Sequence, residues 1–458
     1  MDHTAIAAVT ARQRRFFDSG RTLDIRYRAA ALRDLLKLVT DHEGELLAAL
    51  GQDLGKSRVE GYMCELGLVR TEIRWLLRNL RRLTRDQRVA TPLHQFPARS
   101  FRRPGPYGVT LIMSPWNYPV LLTLGPLADA LAAGNTAVVK PSAYAPATAK
   151  LLDRLLGSVF PAGYVDVIRG GREENAQLLG EKFDYIFFTG SKNVGKLVLE
   201  GAAKHLTPVT LELGGKSPCI IHSSADLKAA ARRVVFGKFV NCGQTCIAPD
   251  YVLCQESVRA EFLRLVRLEV ERQYGQEYKY NLNYGHIISE KHFDRLLGLL
   301  DSGKLFLGGG SDRASRKIEP TVLTDVTWED KVMGEEIFGP ILPVLSFTDI
   351  REVIDTVRSH EKPLALYIFA QDRAVIDEVT TRCQFGGGCI NDVIVHLAST
   401  EMPFGGVGES GMGSYHGQAG FDTFTHYKSI LRQGRVELPI RYQPYTPLAE
   451  KIIRFFLK

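Results

Sequence analysis

The chain has 458 residues, 45% of them apolar and 24% charged, the balance of a globular protein but too much chain for one core, so two or three domains are expected. Its net charge of +7, from 58 basic and 51 acidic residues, is mild, and the absence of any repeat period or long low-complexity tract excludes a solenoid or a disordered chain. The N-terminus lacks the apolar run and small-residue cleavage site of a secretory signal, and no stretch reaches the roughly 20 uncharged apolar residues of a membrane-spanning helix; a cytoplasmic protein is expected.

Residues 23–54 read as helix, with Leu32, Leu35, Leu36 and Val39 at helical spacing, and a second helix is expected over 61–83. Arg74, Arg78, Arg81, Arg82 and Arg85 make a basic stripe there. It reads as a solvated face or a subunit contact, not a nucleic-acid site, because no nucleic-acid module accompanies it. Pro92, Pro97, Pro104 and Pro106 then break the pattern, giving an extended connector or hairpin outside the main core. From Tyr107 strands and helices alternate. GVTLIMSP, NTAVVKPS, YVDVIRG, YIFFTGS and PVTLELGG read as strands, with helices over 121–133, 147–156, 173–179 and 194–205. This alternation predicts a parallel sheet covered on both faces, with ligand beyond the carboxyl ends of its strands. After Gly215 the rhythm restarts with PCIIH, DYVLCQ, LPVLSF and LALYIFA and helices over 227–240, 256–274, 290–300 and 350–359. A second α/β domain is expected. From Met402 the chain is rich in glycine and aromatic residues, then basic.

The cysteines are Cys64, Cys219, Cys242, Cys246, Cys254, Cys383 and Cys389. None form a CxxC pair and no histidine lies at finger-like spacing, so free thiols and no metal site are expected. In Asn241-Cys242-Gly243-Gln244-Thr245-Cys246, Cys246 follows a helix and precedes a strand. On such a turn a thiol can meet a carbonyl carbon while backbone N–H groups converge on the oxyanion. Glu212 ends an apolar strand before Gly214 and Gly215, where partial desolvation suits a base that activates water. Asn117, between Pro115 and Pro119, has a rigidly held amide that can donate to an oxyanion. Thr189-Gly190-Ser191, followed by Gly195, runs from a strand through a glycine turn into a helix. That helix N-terminus can receive a phosphate, although the spacing is GSxxxG and not GxGxxG.

In this order, and with VVKPS (138–142), EEIFGPILPV (335–344) and PFGGVGESGMGSYHGQAGFDTFTH (403–426), these patterns resemble the aldehyde dehydrogenase superfamily over about residues 20–435. NCGQTCIAPDYVL and the SYHG segment look like its class 3 branch, which takes aliphatic and aromatic aldehydes. The resemblance implies an α/β, three-layer fold with a Rossmann-type NAD(P)-binding domain (1–87 and 107–213) and an α/β catalytic domain (214–409). A small β bridging or oligomerisation element (88–106 and 410–440) and a C-terminal tail (441–458) complete it.

By resemblance, Cys246 is the nucleophile, Asn117 and the Cys246 backbone N–H hold the oxyanion, and Glu212 activates water to hydrolyse the thioester. Glu336 and Phe338 contact the nicotinamide ribose, and Lys140 the adenosine ribose, with Ser142 beside it. Ser114 and Trp116 line the cofactor cleft. Thr189, Gly190, Ser191, Val194 and Gly195 lie beside the pyrophosphate and nicotinamide. The partners implied are an aldehyde and a second subunit, with no nucleic acid. A CoA-acylating enzyme is the alternative; it shares the nucleophile but generally lacks the water-activating glutamate. One departure concerns the cofactor. Many NAD-preferring members carry a glutamate where Ala143 stands, so NADP is expected to be accepted beside NAD. Cys242 reads as a small buried side chain, the alternative being a partner that traps Cys246 as a disulfide. The tail, with Leu448, Ile452, Ile453, Phe455, Phe456 and Leu457 among Lys451, Arg454 and Lys458, is expected to pack on a neighbouring subunit. Weak contact with a membrane surface is the other reading.

Overall fold

A computed structural model describes residues 3–436 and 439–457; Lys458 and residues 437–438 of the expected bridging element, like residues 1–2, lie outside them. The strands in chain order are β1 (Gln87–Val89), β2 (Arg99–Pro106), β3 (Val109–Met113), β4 (Thr136–Lys140), β5 (Val165–Val167), β6 (Tyr185–Thr189), β7 (Val209–Glu212), β8 (Pro218–Ile221) and β9 (Tyr251–Gln255). They continue with β10 (Leu305–Leu307), β11 (Ser311–Asp312), β12 (Lys317–Ile318), β13 (Thr321–Leu323), β14 (Ile341–Phe347), β15 (Ala365–Phe369), β16 (Gly387–Ile390), β17 (Gly411–Met412) and β18 (Thr425–Arg432).

Two large sheets carry the fold. One has the order β17-β7-β6-β3-β4-β5, parallel except for β17, which pairs antiparallel with β7 through Gly411 opposite Glu212. Its strands β3, β4 and β6 are buried along their whole length, as strands covered on both faces must be. The Leu121–Ala133 helix against it is buried all round, so it has no polar face to read. The other sheet has the order β10-β13-β14-β9-β8-β15-β16, parallel except for β10. A three-stranded antiparallel sheet, β1-β2-β18, takes up the proline-rich segment and its return partner.

The expected helix over 23–54 is two helices, Ile25–Asp41 and Glu43–Leu54, broken at His42, whose φ of −105° and ψ of 21° leave helical geometry. The helix expected from 61 starts at Arg58 and passes through one π turn, Tyr62–Leu66, before continuing as Gly67–Leu83. Within that turn Glu65 and Leu66 are buried. Gly411–Met412, assigned to the bridging element by sequence, pairs at the edge of the first large sheet. Among the described residues no helix is long and apolar enough to cross a membrane.

Candidate active site

Two cavities meet at one sulfur atom. A cleft of about 590 Å³ opens at the carboxyl ends of β6 and β7, lined by Trp116, Asn117, Thr189, Gly190, Ser191, Glu212, Glu336 and Phe338. A second cavity of about 160 Å³ is walled mainly by apolar groups, including Leu68, Leu121, Phe236, Ile394, Phe404 and Tyr415. Cys246 lines both, so a group in one cavity and a group in the other meet at its thiol.

The loop that carries Cys246 is held in an uncommon conformation. After the Leu227–Phe239 helix the chain takes three left-handed residues in succession, Asn241 (φ 52°), Cys242 (φ 53°) and Gly243 (φ 72°). Only glycine fits the third place, because a Cβ on Gly243 would lie 2.2 Å from the Gly339 carbonyl oxygen. The buried Gln244 ties the loop to its surroundings: its Nε2 donates to the carbonyls of Asn241 (3.0 Å) and His286 (3.1 Å), and its Oε1 accepts from Ile288 N (3.0 Å). Burial, with the carboxylates of Glu336 and Glu212 nearby, pushes the Cys246 thiol up to about 12, opposed by the backbone N–H groups of Cys246 and Ile247 on the sulfur. Cys242 is buried in the second hydrophobic cluster with Tyr251, Tyr284 and Ile287, and burial raises its thiol as well; this is the setting of a core side chain.

Asn117 is buried (3% exposed). Its Nδ2 donates to the Gln244 carbonyl at 3.1 Å, which uses one of the two amide hydrogens and leaves the other for the cleft. Its own carbonyl accepts from Lys56 Nζ (2.7 Å) and Asn241 Nδ2 (2.9 Å). Glu212, at the end of β7, is 2% exposed with both carboxylate oxygens buried and without a hydrogen-bond partner. Burial raises its pKa well above the ordinary 4.5, the direction that makes a carboxylate basic near neutral pH.

At the other side of the cleft, Thr189 Oγ1 is buried without a partner. Ser191 caps the Lys192–Ala203 helix with no side-chain hydrogen bond of its own to it. The helix therefore presents unsatisfied N–H groups to the cleft, the arrangement that receives phosphate. Phe338, at φ 49°, meets Trp116 edge-on at 5.4 Å. The Glu336 carboxylate stands where a Cβ on Gly214 would lie 2.3 Å away; burial and Asp250 push it up to about 8, against the Gly215 N–H, Lys216 and Arg295. A phosphate-receiving helix end, an orphaned hydroxyl and an acidic group beside two aromatic rings fit a dinucleotide.

Other expected cofactor residues have partners within the fold. Lys140 is buried and its Nζ donates to the carbonyls of Gly170 (2.7 Å) and Pro141 (3.1 Å); loss of hydration brings it down to about 8, and these two carbonyls compensate the buried ammonium. Ser142 Oγ accepts from Tyr144 N at 3.2 Å. Ser114 Oγ accepts from Thr123 Oγ1 at 2.6 Å. Gly195 lets its helix approach Leu213, 3.0 Å from where a Cβ would sit, and Val194 packs on the same cluster. Sequence reading missed the buried Lys56 and Glu65 and the half-buried Glu60, behind Asn117 and Asn241, and His292, whose ring lies 5.3 Å from Trp116. Charges in a loop or a helical turn carry no periodic signal, and nothing in the local sequence marked Lys56 or Glu65 as buried.

Two parallel sheets with a half-buried thiol and a cleft suited to a dinucleotide between them define a class, the dinucleotide-dependent oxidoreductases. The aldehyde dehydrogenase family model matches residues 1–430, and the chain belongs to that family and carries its activity. It is 45% identical over 444 residues to a 4,4'-diaponeurosporen-aldehyde dehydrogenase of Staphylococcus aureus (96% of this chain, 97% of that one). It is 46% identical to aldehyde dehydrogenase family 3 member B1 of Bos taurus (95% and 94%) and 44% to family 3 member A2 of Rattus norvegicus (97% and 93%). Among solved structures, the substrate-bound state of Staphylococcus aureus AldH superposes with a TM-score of 0.97 at 44% identity, covering 99% of each chain. An indole-3-acetaldehyde dehydrogenase complexed with NAD+ superposes at 0.87 and 26% identity, over 94% of this chain and 89% of that one. Nothing in these comparisons supports release of the acyl group to CoA.

Proposed function

We propose that the protein oxidises apolar aldehydes, medium- to long-chain aliphatic or aromatic, to carboxylates with NAD or NADP, through a thiohemiacetal and a thioester on Cys246. The observation that carries this reading is the position of Cys246, on the wall of both the polar cleft and the apolar tunnel. The aldehyde chain lies in the tunnel with its carbonyl at the sulfur. As the Cys246 sulfur gives up its proton to solvent and adds to the carbonyl carbon, the C=O π bond breaks, and the free N–H of Asn117 Nδ2 and the Cys246 backbone N–H take the oxyanion. When bound, the nicotinamide ring supplies the hydride acceptor. Glu212 then removes a proton from water as the water attacks the thioester; the C–S bond breaks, the carboxylate leaves and the thiol is restored. Thr189, Gly190 and Ser191 would hold the phosphates and Glu336 a ribose. Trp116 and Phe338 would flank the nicotinamide end, and Lys140 and Ser142 serve the adenosine end.

Ala143 is exposed and offers no carboxylate to repel a 2′-phosphate, which supports use of both cofactors. A ratio of kcat/KM for NAD over NADP above about a hundredfold, about 2.7 kcal/mol, would end that part of the reading. The chemistry itself is tested by Cys246→Ser against a panel of short, long and aromatic aldehydes. Every substrate is expected to lose turnover, and an unchanged rate on any of them would refute the assignment.

The protein is further proposed to act as a homodimer in the reducing cytoplasm, where its seven free thiols stay reduced. The tail helix Pro447–Phe456 leaves Leu448 and Phe455 about two-thirds exposed near the exposed Leu93 and Phe96. This apolar surface supports packing against a second subunit, with a membrane surface as the other outcome. Light scattering and vesicle flotation of the full chain and of one ending at Tyr445 separate the two.

A further inference from the structure

One short segment holds both loops of the proposed site. Lys56 and Glu65 form a fully buried ion pair, with Lys56 Nζ donating to Glu65 Oε1 at 2.6 Å and neither side chain exposed. The same ammonium donates to the Asn117 carbonyl at 2.7 Å and lies 4.0 Å from the centroid of the Tyr118 ring. Glu65 Oε2 accepts from Val120 N (2.8 Å) and Leu121 N (3.2 Å), the start of the Leu121–Ala133 helix. Between them, Glu60 Oε1 accepts from Asn241 N at 3.0 Å, the first left-handed residue of the loop that carries Cys246. Three side chains within ten residues therefore reach the backbone of the Asn117 loop, at its carbonyl and at the two N–H groups three and four residues on, and the backbone of the nucleophile loop.

A buried ion pair is a poor way to gain stability, since well-packed apolar replacements are often as good. Its geometry here, directed at backbone atoms of the loop that presents an amide donor, serves position. Glu65 lies within the π turn Tyr62–Leu66, and such turns recur at functional sites.

We propose that Lys56 and Glu65 are positioning residues that set the Asn117 amide against the sulfur of Cys246, so that the oxyanion donor is in place before the aldehyde binds. The inference rests on the reading of Asn117 as that donor. Lys56 touches no reacting atom and acts only through Asn117.

The test is a double-mutant cycle of Lys56→Met with Asn117→Ala, read as kcat for aldehyde oxidation. Asn117→Ala alone should lower kcat by about a hundredfold or more, and Lys56→Met alone by about ten- to a hundredfold with little change in KM. Lys56→Met on the Asn117→Ala background should cost less than about twofold. The rate at which iodoacetamide alkylates Cys246, a displacement that forms no oxyanion, should stay within about twofold in all variants. Should Lys56→Met fail to fold, the paired replacement Lys56→Met with Glu65→Leu removes both charges together and enters the same cycle in its place. Equal losses on both backgrounds, or no loss on the native one, would overturn the proposal. If Asn117→Ala itself left kcat unchanged, the oxyanion reading would fail first, which is a distinct result.

Discussion

Replacing Glu212 by Gln separates the two halves of the proposed reaction. The amide is isosteric and cannot take a proton from water, so thioester hydrolysis should slow by about 10²–10⁴-fold, the usual worth of a general base, or about 2.7–5.4 kcal/mol of barrier. Addition of the thiol and oxidation of the adduct do not use this carboxylate. Stopped-flow absorbance of the reduced cofactor should therefore show a burst near one equivalent per Cys246, followed by a steady state slower by that factor. In the native enzyme the hydrolytic rate should rise with pH up to a value well above 4.5, because burial raises the Glu212 pKa; that limb should vanish in the variant. Stability should move the other way. A carboxyl whose pKa is higher folded than unfolded favours the fold fully below about 4.5, and the favour is lost as pH rises toward the folded value. Both oxygens lack a partner, so Glu212→Gln should raise Tm more at pH 8 than at pH 5. Loss of the burst itself, or a steady state unchanged in the variant, would refute the assignment of Glu212 to water activation.

Narrowing the tunnel by Leu68→Trp should lower kcat/KM for long-chain and aromatic aldehydes by about tenfold or more while acetaldehyde stays within about twofold, a contrast a substrate series will show. Cys242→Ser should leave reversible inactivation by peroxide unchanged, since the thiol is packed in the core with Tyr251 and Tyr284; titration of activity against peroxide checks this. Gly243→Ala should destabilise the fold and lower kcat together, because it opposes a positive φ and meets the Gly339 carbonyl at 2.2 Å; thermal melts with steady-state kinetics would detect either effect alone.

Both parallel sheets were legible because their strands end in short motifs that break an alternating pattern: β6 into Gly190-Ser191, β7 into Gly214-Gly215. Cys246, Glu212 and Asn117 were legible by the same logic, each a polar or reactive residue at the end of an apolar element. Distant pairing left no trace in the hydropathy. β2 and its partner β18 lie more than three hundred residues apart, with Arg99 opposite Arg432; the resemblance alone grouped their segments in one bridging element, and their register was not legible. The hydrogen bond from Lys140 to the Gly170 carbonyl was likewise not legible, because it forms only when β4 is folded beside the loop after β5. Lys56, in the loop between two helices, and Glu65, in the π turn that a 3.6-residue period does not show, look like ordinary charges; only the fold brings them together as a buried pair.

The account depends above all on carbon–sulfur bond formation at Cys246. Intact-mass analysis and peptide mapping of Glu212→Gln enzyme, quenched during turnover of an aldehyde with cofactor, measures this directly. An acyl adduct of the substrate's mass on the peptide that holds Cys246, close to one per chain, is the predicted result. An adduct on another residue, or none while oxidation proceeds, would contradict it.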